Sequence, residues 1–310
     1  MNGGGKMKYV APIIILIGFF TLLFVKAAEV YEIEKQRAMT EKVVIDLKTK
    51  QQEKKELNHD LSLKALFINE VEEEPKEDEP QERKSFTSGP IFYGNVSNRQ
   101  VAYLTFDDGP SKNTEQILNI LKEYEIPATF FVNGNQTEFG KKMYQRIVNE
   151  GHSIGNHTYS HNYASIYQSI DHFLEDFLKM EQLLIETVGF APNIIRYPGG
   201  SNNTVSHRYG GSTIMDEIIF EMEQLGYLHS DWNIDSLDST KVRQSKSVII
   251  DSVLNGAKGK DELIILLHDG QAKTTTVEAL PHIIEGLKEM GYHFERMTEE
   301  TFYIQFNHAR

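Results

Sequence analysis

Two adjacent carboxylates, Asp107 and Asp108, follow a short β-type run that begins at Gln100, and Gly109-Pro110 comes directly after them. Side chains on a strand point alternately to opposite faces, so neighbouring aspartates share one site only if the strand ends between them. Gly-Pro is a dipeptide that ends strands. Strand ends are where barrels and open α/β enzymes carry their chemistry. The pair is therefore a candidate site, and an Asx turn that caps the next helix is the alternative.

A second candidate is the segment His157-Thr158-Tyr159-Ser160-His161, which follows a predicted strand at 152–155. Histidines at i and i+4 lie on one face of a helical turn and can bind one ion. The alternative is a pair of surface or N-cap histidines, since the chain contains 11 His. With one carboxylate of the aspartate pair they would form a usual ligand set for zinc or a similar divalent ion.

Three protein ligands leave open positions for water and substrate. The ion would lower the pKa of that water to about 7 and polarise a carbonyl group. One aspartate would coordinate and the other would remain free as a general base. This combination predicts hydrolysis of an amide or an ester.

Polar residues end three further predicted strands. His268 ends the most apolar run of the domain, and it is either structural or an acid that protonates a leaving amine. Arg196 could hold the base carboxylate in its ionised form, and backbone N–H groups of the following turn, Pro198-Gly199-Gly200, could hold an oxyanion. Acidic residues end another strand, at Asp231, Asp235 and Asp238. Five candidate sites at the same end of successive strands predict a single active site.

These residues lie in a region where short β-type runs alternate with amphipathic helices. Strands are predicted at 101–106, 128–132, 152–155, 194–197, 228–232, 263–268 and 293–295. Helices are predicted at 115–124, 141–150, 170–188, 214–225, 248–257 and 277–290. Such alternation predicts an α/β fold, a parallel sheet with helices outside, open or closed into a barrel. Seven strands in this length favour a barrel with one unit missing.

The N-terminal residues have a different character. Lys6 and Lys8 precede an apolar run from Tyr9 to Val25. The run is slightly shorter than the roughly 20 residues of a membrane helix but longer than a signal-peptide core of about 7–15. Because Lys26 disfavours cleavage there, we predict a cytoplasmic tip and a single-pass transmembrane anchor over residues 1–28. Cleavage would instead give a secreted protein, and in both cases the remainder lies outside the cell membrane.

Residues 29–90 are predicted to be a stalk that precedes a catalytic domain at 91–310. The part at 29–57 is rich in Glu, Lys and Gln and predicts a solvated helix or a weak coiled coil. The part at 70–83 carries eight acidic and two basic residues together with two prolines. It is too polar to bury a core, which indicates a linker.

Composition narrows the classes of partner and metal site. The 310 residues include no cysteine, so disulfides and thiolate metal sites are excluded and any metal is held by His and carboxylate. The formal net charge of −13 argues against nucleic acid and anionic lipid as partners.

Five short motifs follow one another along the chain. Thr105-Phe106-Asp107-Asp108-Gly109 is followed by His-x-x-x-His at 157–161, Arg-x-Pro at 196–198, Asp-x-x-Asp at 235–238 and Leu-x-His at 266–268. Over residues 97–300 the chain therefore resembles the polysaccharide deacetylases, the NodB-homology enzymes of carbohydrate esterase family four. Among these it is most similar in character to the peptidoglycan N-acetylglucosamine deacetylases.

The resemblance implies a distorted (β/α) barrel that removes acetyl groups from polymeric sugars. It implies that Asp107 is the base and that Asp108, His157 and His161 bind one divalent metal ion, zinc or alternatively cobalt or nickel. It also implies that Arg196 orients Asp107. The acid would be His268, tuned by Asp238.

Two positions depart from the family pattern. Gly199 stands where the third motif usually has Tyr, so its N–H can still serve the oxyanion but the ring wall is missing. Ser239 stands where the fourth motif usually has Trp. Both changes lie around the expected acetyl pocket, and the loop at 201–212 could rebuild the wall.

From these features we predict a membrane-anchored, metal-dependent N-deacetylase of cell-wall peptidoglycan. The alternatives are a deacetylase of another exported glycan, such as poly-glucosamine or chitin oligomers, and a non-catalytic wall-binding protein on the same fold.

Overall fold

The computed structural model describes residues 91–93 and 100–306. Their strands, in chain order, are β1 Ile91–Tyr93, β2 Val101–Gly109, β3 Thr129–Val132, β4 Ser153–Asn156, β5 Ile194–Ile195, β6 Leu228–His229, β7 Ile234–Asp235, β8 Glu262–His268, β9 His293–Phe294 and β10 Tyr303–Gln305. The helices of the same residues are α1 Lys112–Glu123, α2 Glu138–Asn149, α3 Tyr163–Ile166, α4 Ile170–Val188, α5 His207–Gly210, α6 Ile214–Gln224, α7 Lys246–Ala257 and α8 Thr274–Glu289.

The main sheet is parallel throughout. Its strands lie in the order β6-β5-β4-β3-β2-β8-β7, and β9 pairs with the beginning of β2. Parallel neighbours require crossover connections, and the helices between successive strands provide them. The predicted α/β class with seven parallel strands is confirmed.

Alternation along the central strands decides which side chains face the helices. In β2, Ala102, Leu104 and Phe106 pack with helix residues in one core. Val101 and Tyr103 belong to a separate cluster on the other side of the sheet, together with residues of the C-terminal segment such as Ile304. With a period of two, Thr105 and Asp107 continue this second, inner face. The strand that carries the aspartates therefore turns Asp107 away from the helices.

One extended segment, residues 228–235, joins the two ends of the strand order. Its first part, β6, pairs with β5, and its second part, β7, pairs with β8. Asn233 strengthens the second pairing, because its backbone N–H donates to the Ile264 carbonyl over 3.1 Å and its side chain accepts from the Ile264 N–H over 2.8 Å. The sheet is thus curled, consistent with a distorted (β/α) barrel. The sequence predicted one strand at 228–232, whereas the structure has a short strand at 228–229 and a second at 234–235, each paired with a different neighbour.

Local sequence explains where the helix after the aspartate motif begins. Ser111 is the N-cap of α1: its side chain accepts from Asn113 N–H, and its own N–H donates to the Thr114 hydroxyl. This reciprocal arrangement satisfies N–H groups that a helix start leaves free. Ile117 and Leu121 are fully buried against the sheet. The helix is thereby fixed immediately behind the motif.

A short ribbon lies apart from the main sheet. β1 pairs antiparallel with β10, and Ile91 lies opposite Gln305. The backbone of β10 also contacts the segment at 228–235, since the Asp231 N–H donates to the Ile304 carbonyl over 2.7 Å. The C-terminal strand is therefore connected both to the start of the domain and to the curled sheet.

Among residues 91–93 and 100–306, no helix combines the length and the apolar character needed to cross a membrane. The predicted anchor at 1–28 and the predicted stalk at 29–90 lie outside the described residues.

Candidate active site

A β-bulge, not the end of the strand, brings the two aspartates to one site. The sequence predicted that Gly109-Pro110 would stop the strand between them, but β2 continues to Gly109. Its pairing with β3 shifts between Asp107 and Gly109, and Asp108 is the additional residue, with a φ of 78°. A bulge turns one side chain out of the regular alternation. Consecutive carboxylates therefore face the same space.

The two predicted metal-binding histidines lie in a loop after β4, not on a helical turn as predicted. Thr158 and His161 both have positive φ, 70° and 53°, which a right-handed helix cannot contain. The loop is held by Asp176, whose carboxylate accepts from the backbone N–H groups of Tyr159 and Ser160. The rings of His157 and His161 nevertheless converge, with centroids 5.1 Å apart.

The structure brings Asp108, His157 and His161 together, with ligating atoms that all lie within 4.8 Å of one another. Asp108 Oδ1 is 3.2 Å from His161 Nε2 and 3.6 Å from His157 Nε2. This oxygen is buried and has no hydrogen-bond partner among the described residues. A buried carboxylate oxygen without a donor is costly unless a cation or a solvent molecule satisfies it.

The tautomer of His157 is fixed by its surroundings. Its Nδ1 lies 2.7 Å from the Arg196 carbonyl oxygen, which can only accept, so Nδ1 carries the hydrogen. The lone pair is then on Nε2, which points toward Asp108. Burial, together with the nearby His161, lowers the pKa of His157 to about 3, so the ring is neutral at neutral pH. A neutral imidazole with its second nitrogen bonded to a carbonyl is the usual state of a metal-binding histidine. The donor set therefore fits a divalent ion.

Asp107 lies beside this cluster in a fully enclosed position. Arg196 Nη1 donates to Asp107 Oδ1 over 3.0 Å, and Asp107 Oδ2 is 3.9 Å from His157 Nε2. The guanidinium also donates to the Thr105 hydroxyl and to two backbone carbonyls of residues 230–231. Burial raises the pKa of Asp107, and the charge of Arg196 opposes this. Arg196 thus holds one carboxylate oxygen and leaves the other facing the cluster.

His268 reaches the same site from the adjacent strand. In the pairing of β2 with β8, Asp107 lies opposite His268. His268 Nδ1 is 2.6 Å from Asp238 Oδ1, while Asp238 Oδ2 accepts from the His268 N–H and the Thr276 hydroxyl, both over 2.8 Å. Burial disfavours the charged ring, but the hydrogen bond and the charge of Asp238 outweigh it and raise the pKa of His268 to about 9. His268 is therefore a protonated acid at neutral pH.

The turn after Arg196 has one usable donor. Pro198 has no N–H, and its carbonyl accepts from the Tyr167 hydroxyl over 2.7 Å, so the predicted oxyanion role does not extend to Pro198. Gly199 has a φ of 80°, a conformation that favours glycine. Within residues 100–306 nothing accepts from its N–H. Tyr163 lies beside it, since a Cβ added to Gly199 would be 2.7 Å from the Tyr163 hydroxyl.

The remaining predicted acids have structural contacts. Asp231 accepts from the Ser201 N–H, the Ser201 hydroxyl and the Phe306 N–H, so it fixes two loops. Asp235 accepts from the Leu237 N–H over 2.7 Å. Of the three acids at this strand end, Asp238 is the one bonded to His268, and Ser239 beside it is exposed.

Two residues of the site were not predicted from the sequence. Thr105 donates to the Ile265 carbonyl and accepts from Arg196, and its position two residues before Asp107 would have placed it on the same face. Tyr163 follows His161 by two residues, but its proximity to Gly199 arises from tertiary structure.

The chain is similar to several known proteins. The polysaccharide deacetylase family profile matches residues 94–226. A peptidoglycan-N-acetylglucosamine deacetylase of Bacillus cereus is 34% identical over 220 residues, which cover 69% of this chain and 76% of the relative. The chain belongs to the polysaccharide deacetylase family.

Two further members of the polysaccharide deacetylase family are informative. The solved catalytic domain of a peptidoglycan N-acetylglucosamine deacetylase from Eubacterium rectale superposes with a TM-score of 0.65 at 31% identity, covering 70% of this chain and 96% of that one. The peptidoglycan-N-acetylmuramic acid deacetylase PdaC of Bacillus subtilis is 31% identical over 240 residues, 77% of this chain but 46% of PdaC. The predicted resemblance is confirmed, and the chain is a hydrolytic polysaccharide deacetylase.

Proposed function

We propose that this polysaccharide deacetylase hydrolyses N-acetyl groups of cell-wall peptidoglycan, outside the cell membrane and with a bound divalent metal ion. One observation carries the chemistry: Asp107 and His268 lie opposite each other on adjacent strands, beside the Asp108, His157 and His161 cluster. Amide hydrolysis needs a base that activates water and an acid that protonates the leaving amine, and these two residues are neighbours here. The peptidoglycan substrate is supported by the named relatives.

The residues divide the work as follows. A divalent ion held by Asp108, His157 and His161, which we propose is zinc with cobalt or nickel as alternatives, would polarise the acetyl carbonyl and acidify the attacking water. Asp107 takes a proton from that water as its oxygen bonds to the carbonyl carbon. His268 then gives its proton to the sugar nitrogen as the C–N bond breaks, leaving acetate and a free amine. Arg196 keeps Asp107 in place throughout.

We propose that the Gly199 N–H stabilises the negative charge that develops on the carbonyl oxygen. This N–H is the donor of the Pro198-Gly199-Gly200 turn without a partner in residues 100–306, and Gly199 lies beside Tyr163, whose ring packs against His161. A pre-positioned N–H stabilises an oxyanion more than it stabilises a neutral carbonyl. The tight turn that gives Gly199 its positive φ is therefore part of the catalytic arrangement.

Acetate release tests the proposed reaction and separates the substrates. We expect the full chain to release acetate from purified peptidoglycan and Asp107→Asn to release almost none. Mass spectrometry of the muramidase-digested product identifies whether N-acetylglucosamine or N-acetylmuramic acid lost the group. Release from chitin oligomers or N-acetylated poly-glucosamine oligomers alone would assign another exported glycan. Absence of release from all of them by the metal-loaded protein would favour a wall-binding protein.

The location is proposed from residues 1–28, which we infer anchor the chain in the cell membrane with the catalytic domain outside. The expected result is that the intact chain sediments with membranes and that added protease removes the catalytic domain from whole cells whose wall has been digested. Replacement of several leucines and isoleucines of the apolar run by serine should release the protein. A soluble extracellular form that begins near Ala28 would contradict the anchor.

A further inference from the structure

Tyr163 fills the space that the missing side chain of Gly199 leaves beside the site. Tyr163 is the first residue of α3. Its hydroxyl oxygen is 2.7 Å, and its Cε1 3.3 Å, from the point that a Cβ of residue 199 would occupy. Asn203 Cβ, from the following loop, is 3.3 Å from the same point. A ring therefore stands next to the turn, although it comes from a different segment than the family pattern would suggest.

The position of this ring is fixed on two sides. It packs edge-on against His161, with centroids 5.4 Å apart, and edge-on against Tyr167, with centroids 5.5 Å apart. Tyr167 is buried and bonded to the Pro198 carbonyl, so it ties the ring to the same turn. Edge-to-face contacts of this kind favour one ring orientation.

The hydroxyl is fixed but has nothing to bond to. Within residues 100–306 the Tyr163 hydroxyl makes no hydrogen bond, and the Gly199 N–H next to it makes none either. Two unpaired donors beside one turn, one of them on a ring that packs against His161, can bind one oxygen atom.

We propose that Tyr163 is a substrate-contacting residue whose hydroxyl donates, together with the Gly199 N–H, to the carbonyl oxygen of the acyl group. This rests on the proposed deacetylase function. The ring closes the acyl pocket on the side that Gly199 leaves open, and the hydroxyl supplies a second oxyanion donor.

Tyr163→Phe tests the hydroxyl while keeping the ring against His161. We expect metal content to be unchanged and kcat for acetate release to fall about 10²-fold, with KM nearly constant, because the donor acts mainly on the transition state. Tyr124→Phe is the matched control, since its hydroxyl bonds to Glu285 at the surface. Wild-type kcat in Tyr163→Phe, or loss of its metal, would overturn the proposal.

A binding measurement keeps this test independent of the polymer. Acetohydroxamic acid presents a carbonyl oxygen of the same kind, and its Kd for the full, metal-loaded chain is measured by calorimetry. Loss of one hydrogen bond should weaken it about 5- to 10-fold in Tyr163→Phe and leave Tyr124→Phe unchanged. If no polymer releases acetate, the proposed function fails while the hydroxamate affinities still decide the role of Tyr163. Equal affinities for wild type and Tyr163→Phe would contradict it.

Gly199→Ala provides a second, independent arm. The added Cβ would press on the Tyr163 hydroxyl, so the variant should lose activity partly through displacement of that group. The strain of a non-glycine residue at positive φ is common to both backgrounds and cancels in a double-mutant cycle. We expect Gly199→Ala to cost less in the Tyr163→Phe background than in the wild type. Fully additive losses would mean that the two positions act separately.

Discussion

Asp107→Asn is expected to retain the metal ion and to lower acetate release by about 10²–10⁴-fold, whereas Asp108→Asn is expected to lose both metal and activity. Asp108 supplies the anionic oxygen of the cluster, which has no other partner among the described residues. Asp107 is bonded to Arg196 instead and lies 3.9 Å from His157 Nε2. Its amide replacement keeps the shape but cannot accept the proton of water. Elemental analysis beside acetate release measures both effects.

Folding must be checked in the same experiment. Arg196 is almost completely buried, and Asp107 is its carboxylate partner, so Asp107→Asn leaves a buried charge less well compensated. Breaking such a pair can cost about 3–5 kcal/mol. Thermal unfolding of each variant separates this cost from the loss of chemistry, and Asp216→Asn on the exposed side of α6 is the matched control. Metal loss in Asp107→Asn with retention in Asp108→Asn would exchange the two roles, and full activity of Asp107→Asn would refute the mechanism.

His268→Ala is expected to keep the metal and lose about 10²–10⁴-fold in rate, because the departing amine would leave unprotonated. In the wild type the active form has protonated His268, whose pKa is raised to about 9. On the alkaline side, activity should therefore fall as the pH rises through about 9. Asp238→Asn removes the charge that raises this pKa, so its alkaline limb should move to lower pH. Rate–pH profiles of the three proteins measure the shift.

The His268–Asp238 pair also makes the stability of the folded protein depend on pH. Because the folded-state pKa of His268 lies above the ordinary value of 6.5, the native state binds the proton more tightly than the unfolded chain. The stabilisation is complete below about pH 6.5 and is lost as the pH rises through about 9. Wild-type protein should lose stability across this window, and His268→Ala should not. For the rate measurement, an Asp238→Asn profile that falls at the same alkaline pH as the wild type would show that Asp238 does not raise the pKa of His268.

Strand-end residues and period-two alternation were sufficient to predict much of the site. Asp107, Arg196 and His268 lie in or directly after strands that the sequence predicted, and an inner face shared with Tyr103 follows from spacing alone. The opposition of Asp107 and His268 could not be predicted, because register between strands far apart in sequence depends on how the whole sheet packs.

Local conformation accounts for the remaining differences. The bulge at Asp108 and the non-helical loop of His157 and His161 both depend on residues with positive φ, which non-glycine residues adopt only when their surroundings favour it. His157 and His161 therefore converge because of the conformation of their loop, and not because they lie on one face of a helical turn as the i, i+4 spacing predicted. Likewise, no local pattern could place Tyr163 against Gly199, since α3 and the turn are separate segments.

The antiparallel pairing of β1 with β10 has a consequence for how this domain can be combined with others. Since Ile91 lies opposite Gln305, the first and last strands of the described residues lie side by side. Units with adjacent ends tolerate circular permutation and insertion into host loops. A short linker between residues 306 and 91 would close this part of the chain into a ring, and new ends could be opened in an exposed connection remote from Asp108, His157 and His161. Another protein domain could therefore be fused to this enzyme at the place where Ile91 and Gln305 are neighbours.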